Sequence, residues 1–171
     1  MARTLLRFFA GAVVGAVVWW YLTPGYNEIV ARPCAGVLRF DRRLRDIKPA
    51  PEQRWIQFRS ASGGFPPVKI PADQLTYNLI LYAGLMATER RMFRDQYVVI
   101  MLIGIVVLFV AHVAAFAVVT EGLFATVLGP WSEAHYSELE ARVWVALQMF
   151  YRLVAMFAIP FALWLWPRRI R

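Results

Sequence analysis

Cysteine is all but missing from this chain. Cys34 stands alone among 171 residues, so no intramolecular disulfide forms, no CxxC pair exists, and the redox compartment is not written in the cysteines. Histidine is nearly as scarce: His112 and His135 are the two present, at no spacing that suits a zinc site or a haem pair. Charged residues make up 18% of the chain, below the ~25% of an ordinary soluble domain. No carboxylate falls deep inside any long apolar run, which removes the paired acids that buried acid and base chemistry needs. What is abundant is apolar: 60% hydrophobic residues and 15% aromatics, with a mean hydropathy of +0.49. That composition predicts an integral membrane protein. The net charge of +8 sits largely in arginines beside apolar runs, where membrane orientation and anionic headgroups account for it better than nucleic acid does. No motif for a cofactor, a metal or a small-molecule substrate is evident.

Four runs carry the membrane reading. The first, residues 5–22, follows Arg3 and Arg7 and ends in Trp19, Trp20 and Tyr21; its bulky exit lacks a signal-peptidase pattern and predicts an uncleaved anchor. Gly11 and Gly15 form a small-xxx-small stripe along which another helix can approach closely. The third run, 97–119, and the fourth, 143–166, each supply the ~20 apolar residues that a ~30 Å hydrocarbon core requires. The fourth opens after a capping-box spacing, Ser137 to Glu140, and closes on Trp164, Trp166 and Arg168-Arg169. The second, 72–88, is short, starting near Pro71. Parity favours counting it as a crossing: the N-terminus, the stretch with Arg90, Arg91 and Arg94, and the C-terminal PRRIR are all short basic flanks, and such flanks prefer the cytoplasm. The expectation is four transmembrane helices with both termini cytoplasmic.

Two outer regions remain, 23–71 and 120–140. In the first, Val37, Phe40, Leu44 and Ile47 recur at helical spacing with Arg39, Arg42, Arg43 and Arg45 around them. This predicts an amphipathic helix over 35–47, its arginines set against headgroups or a partner. RWIQFRS and PPVKIP then alternate, Ile56 and Phe58 with Val68 and Ile70 on one face, around the turn-forming SASGGF, which predicts a β-hairpin over 54–70. In the second outer region, Gly129-Pro130 breaks the chain and Glu133, Glu138 and Glu140 surround His135; a solvated loop and helix cap is favoured over a weak metal site.

One residue stands out within the fourth run. Arg152 is a permanent cation near its middle, where a charge costs about 2.5 to 3.5 kcal/mol. Gln148 lies one turn away, and the other spans offer Asn78 and His112 as polar partners. The expected arrangement is a polar cluster of Arg152, Gln148, Asn78 and His112, or an acceptor from a partner subunit, with Pro160 kinking the helix further on.

The order of WYLTPGY, LTYNLILYAGLMAT, FVAHV, GPWSEAHYSELE and FYRLVAMFAIPFALWLW resembles small multi-span membrane proteins of the exosortase-associated kind, particularly those found beside the exosortase H type. The resemblance implies an accessory role near envelope protein sorting in a bacterial inner membrane, and no catalytic residues come with it. The resulting expectation is an all-α membrane protein with a small outer hairpin, acting as a non-catalytic subunit among membrane lipids and other integral membrane proteins. Two alternatives stand beside it: a peripheral subunit of a respiratory or photosynthetic complex, in which His112 ligates a pigment, and an intramembrane thiol enzyme that joins Cys34 to His112, His135 and Arg152. An isolated cysteine is more often inert than nucleophilic, because reactivity needs a lowered pKa, which argues against the latter.

Overall fold

The computed structural model describes residues 2–89 and 95–169, without the side chains of 95, 96 and 167–169. The basic flank expected at Arg90, Arg91 and Arg94 therefore lies outside the described residues, as do the side chains of Arg168 and Arg169. Three helices are long and apolar enough to cross a membrane: within Ala2–Leu38, Tyr97–Thr126 and Glu138–Trp166.

Helix α1 (Ala2–Leu38) is a single rod of 37 residues, about 55 Å long at 1.5 Å per residue. Its first half exposes Leu5, Phe9, Val13 and Val17, as a lipid-facing surface should. Its second half buries Thr23, Asn27, Val30, Ala31, Cys34, Ala35 and Leu38, a 3-4 stripe that needs a covering layer. The helix continues past the apolar run of residues 5–22, and the separate amphipathic helix expected over 35–47 is not formed. Pro24 and Pro33 stay inside the rod, because the stripe beyond them has enough apolar surface to bury. Residues 35–38 are its last turn, followed by a short 3-10 turn at Arg42–Leu44. Of the four residues expected to form one apolar face, Leu44 and Ile47 are fully buried, whereas Phe40 is 89% exposed and Val37 45%.

The covering layer is a three-stranded antiparallel sheet, β1 (Ile47–Glu52), β2 (Trp55–Ser60) and β3 (Val68–Pro71), in the order β1-β2-β3. The hairpin expected over 54–70 is its β2-β3 half, with Ile56 opposite Ile70 and Phe58 opposite Val68, all four on the buried face. Strand β1 was concealed by its sequence, IKPAPE. Pro49 and Pro51, two residues apart, lose their donors on the same side, and such residues are tolerated in an edge strand. The tight β1-β2 turn is pinned to α1 at two points. Asn27 Nδ2 donates to the carbonyl of Gln53 at 2.7 Å, holding Gln53 at φ 49, and the Arg54 guanidinium lies 3.4 Å above the Trp20 ring. At the other end Phe65 packs edge-on against Phe124, centroids 5.0 Å apart, while Trp131 Nε1 donates to the carbonyl of Gly64 at 3.1 Å.

The chain then returns alongside α1 through α2 (Asp73–Thr76) and α3 (Asn78–Ala87). Their antiparallel course is fixed by contacts in sequence: Trp19 Nε1 donates to Thr76 Oγ1 at 3.1 Å, Gly15 faces Ala83, and Gly11 faces Ala87. A Cβ on Gly11 would stand 2.3 Å from the Ala87 Cβ, so the small-residue stripe is a close helix contact. Helix α4 (Asp95–Thr126) rises again, with Gly104 leaving room for the Tyr82 hydroxyl. After α5 (Pro130–His135), opened by Gly129 at φ 56, the chain descends through α6 (Glu138–Phe150), a π-helical turn at Tyr151–Ala155 and α7 (Met156–Arg169). The expected capping box at the start of α6 is present, Ser137 with Glu140. The outer loop expected over 120–140 is thus mostly helical, and an irregular turn, Tyr151–Ala155, lies just before Pro160.

Two glycines of α1 separate packing from helix propensity. Gly11→Ala must push Ala87 away and is expected to destabilise by about 1 to 3 kcal/mol. Gly25→Ala meets nothing within 4 Å and should stabilise by about 0.5 to 1 kcal/mol. Thermal unfolding of both variants in detergent checks the pair; equal effects would contradict the packing.

Candidate functional site

Polar side chains inside an apolar bundle need partners, and here they find each other. The Tyr26 hydroxyl, on α1, lies 2.6 Å from His112 Nδ1 on α4. His112 Nε2 lies 2.7 Å from Asn78 Oδ1 on α3. Because an amide oxygen only accepts, Nε2 carries the proton and Nδ1 accepts from Tyr26, so one tautomer satisfies both contacts. Asn78 is beside Tyr151 as well, whose hydroxyl donates to the carbonyl of Leu75 at 3.1 Å. Four helical segments are thereby tied at one level. His112 is fully buried with both ring nitrogens engaged, which leaves none to ligate a pigment or a metal.

The structure brings Asn78 and His112 together as expected, but not Gln148 or Arg152. Gln148 projects toward Gly122 of α4, where a Cβ would come within 2.9 Å of its Oε1. Arg152 makes no hydrogen bond or ion pair among the described residues and is partly exposed. The π-helical turn gives the physical reason: its extra residue rotates the helix face, so that Tyr151 is turned inward and buried while Arg152 is displaced sideways. Tyr151 meets Leu75 and Trp19 meets Thr76, so Arg152 stands level with the Trp19-Trp20 pair.

A second constellation ties the outer segments. Arg43 Nη2 pairs with Asp41 at 2.7 Å and Nη1 with Glu140 at 3.2 Å. Nη1 also donates to the carbonyl of His135 at 2.7 Å, and the guanidinium sits 3.8 Å over the Tyr136 ring. Tyr136 in turn donates to Glu121 Oε2 at 2.7 Å. The hydrogen bonds with Asp41 raise the Arg43 pKa further above its ordinary value. Burial would raise the Asp41 carboxyl, but the side-chain and backbone N–H groups of Arg43 and its charge together hold it below the usual range. Tyr136 is pushed up by burial, by the bond it donates to Glu121 and by that carboxylate's charge. Arg43 is thus an internal clasp, while Arg39, Arg42 and Arg45 are exposed. These three stand beyond the last turn of α1, about 27 Å along the helix from Trp20.

Cys34 is sealed, with no exposed surface, against Thr120 and Glu121. His112 is about 12 Å further down α4 from Thr120. His135 lies on α5, stacked on Trp131 with centroids 4.3 Å apart. The four residues Cys34, His112, His135 and Arg152 are therefore not assembled into one site. Glu133, Glu138 and Glu140 do not gather around His135 either: among the described residues, no group of three or more His, Cys, Asp or Glu side chains could hold a metal ion. Glu140 is occupied by its cap and by Arg43.

Sequence reasoning missed Tyr26, Tyr151, Glu121 and Tyr136. The available signal was Glu121, an acid directly at the end of an apolar run, which needs a donor nearby.

Two outcomes follow from this geometry. Tyr26→Phe leaves a buried ring nitrogen without its donor and should cost about 1 to 3 kcal/mol. In a cycle with His112→Leu the two losses should be non-additive by at least about 0.5 kcal/mol, measured by unfolding in detergent. Separately, Ser60 and Ser62 hydroxyls and the Ser62 N–H all donate to Asp46 Oδ2, lowering its pKa from 3.8 to about 2. A depressed carboxyl contributes stability above its unfolded pKa and loses it as pH falls through the folded one. The gap in unfolding temperature between the native chain and Asp46→Asn should therefore close as pH falls from 3.8 to about 2. No family model, curated protein or solved structure matches this chain, so the functional reading rests on its own geometry.

Proposed function

We propose that this protein is a non-catalytic subunit of a larger bacterial inner-membrane complex, and that it crosses the bilayer four times with both termini cytoplasmic. The fourfold crossing is supported by α3, which packs between α1 and α7 and runs antiparallel to α1 from the level of Trp19 to the level of Gly11. Both termini and the α3-α4 connection are then at one end of the bundle. In this placement Arg152 belongs to the outer interface beside Trp19 and Trp20, where a guanidinium is readily accommodated.

The observation that carries the subunit reading is an apolar stripe on α6 and α7. Leu139, Val143, Leu147, Phe150, Val154, Phe157, Phe161 and Leu165 follow at intervals of three or four residues, each 42% exposed or more. The stripe is about 39 Å long, longer than the ~30 Å core of a bilayer. Its upper members, Leu139, Val143 and Leu147, lie beyond Arg152 and so beyond the lipid, where an apolar ridge needs a protein cover. A helix of another integral membrane protein, long enough to continue past the membrane surface, fits that ridge. The resemblance to exosortase-associated proteins makes a membrane-bound sorting enzyme the first partner to examine. Cys34, sealed against Thr120 and Glu121, favours this reading over the thiol enzyme. The height of Arg39, Arg42 and Arg45 above the Trp20 level favours a protein surface over headgroups as their counterpart.

The test is co-purification of the native complex in mild detergent. Leu139→Ser combined with Val143→Ser should release the partner while leaving the isolated chain's unfolding temperature within a degree or two, since both side chains point away from the bundle. Undiminished co-elution with the double variant would overturn the proposal.

A further inference from the structure

Between α1, α3 and α4 runs a groove of about 810 Å³, within the ~300–1,000 Å³ of ligand-sized sites. It is walled by apolar side chains, Val14, Val18, Leu79, Met86 and Ile105 among them, and carries Arg7 at one end. Its floor is narrow because Gly11 and Gly15 let α1 and α3 touch. Along α1 it extends from Arg7 to Val18, about 16 Å, which is close to half of a ~30 Å hydrocarbon core and hence to one leaflet. Val14 and Val18 on its rim are 62% and 49% exposed, so the groove opens sideways. Glu89 lies at the same end as Arg7 but is already engaged, whereas Arg7 has no hydrogen bond or ion pair among the described residues. A leaflet-length apolar channel ending on an unpaired cation matches one kind of molecule.

We propose that this groove binds an anionic glycerophospholipid, with an acyl chain laid along α1 from Gly11 to Val18 and the phosphodiester on Arg7. A cation with no partner among the described residues favours this occupant over a partner helix, which would have to bring an acid to the same end of the channel. The site is separate from the α6-α7 stripe, so its failure and the failure of the subunit reading are distinguishable.

The test follows the unfolding temperature of the detergent-solubilised full chain as dioleoyl phosphatidylglycerol, dioleoyl phosphatidylcholine or inorganic phosphate is added. Phosphatidylglycerol should raise the unfolding temperature at lower concentration than phosphatidylcholine, and phosphate alone should do nothing. Arg7→Gln should weaken the apparent affinity for phosphatidylglycerol by about fivefold, the contribution expected of one arginine near an anionic lipid, and leave phosphatidylcholine unaffected. Val14→Trp and, from the opposite wall, Ile105→Trp fill the channel without changing charge, and each should suppress the response to both lipids. An equal shift with phosphate would mean a simple anion site and overturn the proposal. So would a phosphatidylglycerol preference that survives Arg7→Gln, or a lipid response untouched by both tryptophans, the latter being the result expected if a helix covers the groove.

Discussion

Helix α1 does not stop at the end of its first apolar run, and the sheet-bearing half of the molecule depends on that continuation. Thr23, Asn27, Val30, Cys34 and Leu38 carry the same helical face past Leu22, so the sheet and the upper turns of α4 have a wall to pack on. A three-stranded sheet this small has little independent stability. Its inward row of Ile47, Ile56, Phe58 and Ile70 is fully buried because α1 and α4 stand behind it. Two prolines inside the helix oppose this arrangement by removing backbone donors. The buried face wins, since each large apolar side chain withdrawn from water contributes roughly 1.5 to 3 kcal/mol.

The same competition explains what could be read from residue order and what could not. Long apolar runs and their basic or aromatic ends follow from the solvent requirements of a bilayer, and three membrane-length helices stand where those runs predicted. The β2-β3 alternation and the Ser137-Glu140 cap were equally visible, because each depends on near neighbours. Residues 35–47 were misread for an opposite reason. Pro24-Gly25 reads locally as a stop, and only the tertiary contact of the stripe beyond it shows that the helix continues. Strand β1 was hidden by Pro49 and Pro51, which are acceptable at a sheet edge whose existence depends on β2. Among polar residues, Asn78 and His112 were recognisable as partners because polar groups in apolar runs have few choices. Arg152 does not join Gln148, Asn78 and His112, because the π-helical turn buries Tyr151 instead, and nothing in the run YRLVA announces that.

Two kinds of polar contact divide the molecule. Inside the bundle, Tyr26, His112 and Asn78 are neutral groups that hydrogen-bond in series across three helices and fix their relative rotation. In the outer part, charges serve instead: Arg43 reaches a carboxylate on its own turn, another on α6, a carbonyl and an aromatic face. The division follows the dielectric. Neutral pairs are inexpensive in hydrocarbon, whereas an ionic clasp needs nearby water to ease its desolvation.

The burial of Cys34 has a consequence for biogenesis. Its walls, Thr120 and Glu121, belong to a helix synthesised long after α1, so the thiol is open to solvent in the nascent chain and closed in the finished one. During that interval it is available to oxidants and to other thiols; afterwards it is chemically silent. The accessibility of this solitary cysteine therefore ends when the first and later helices come together.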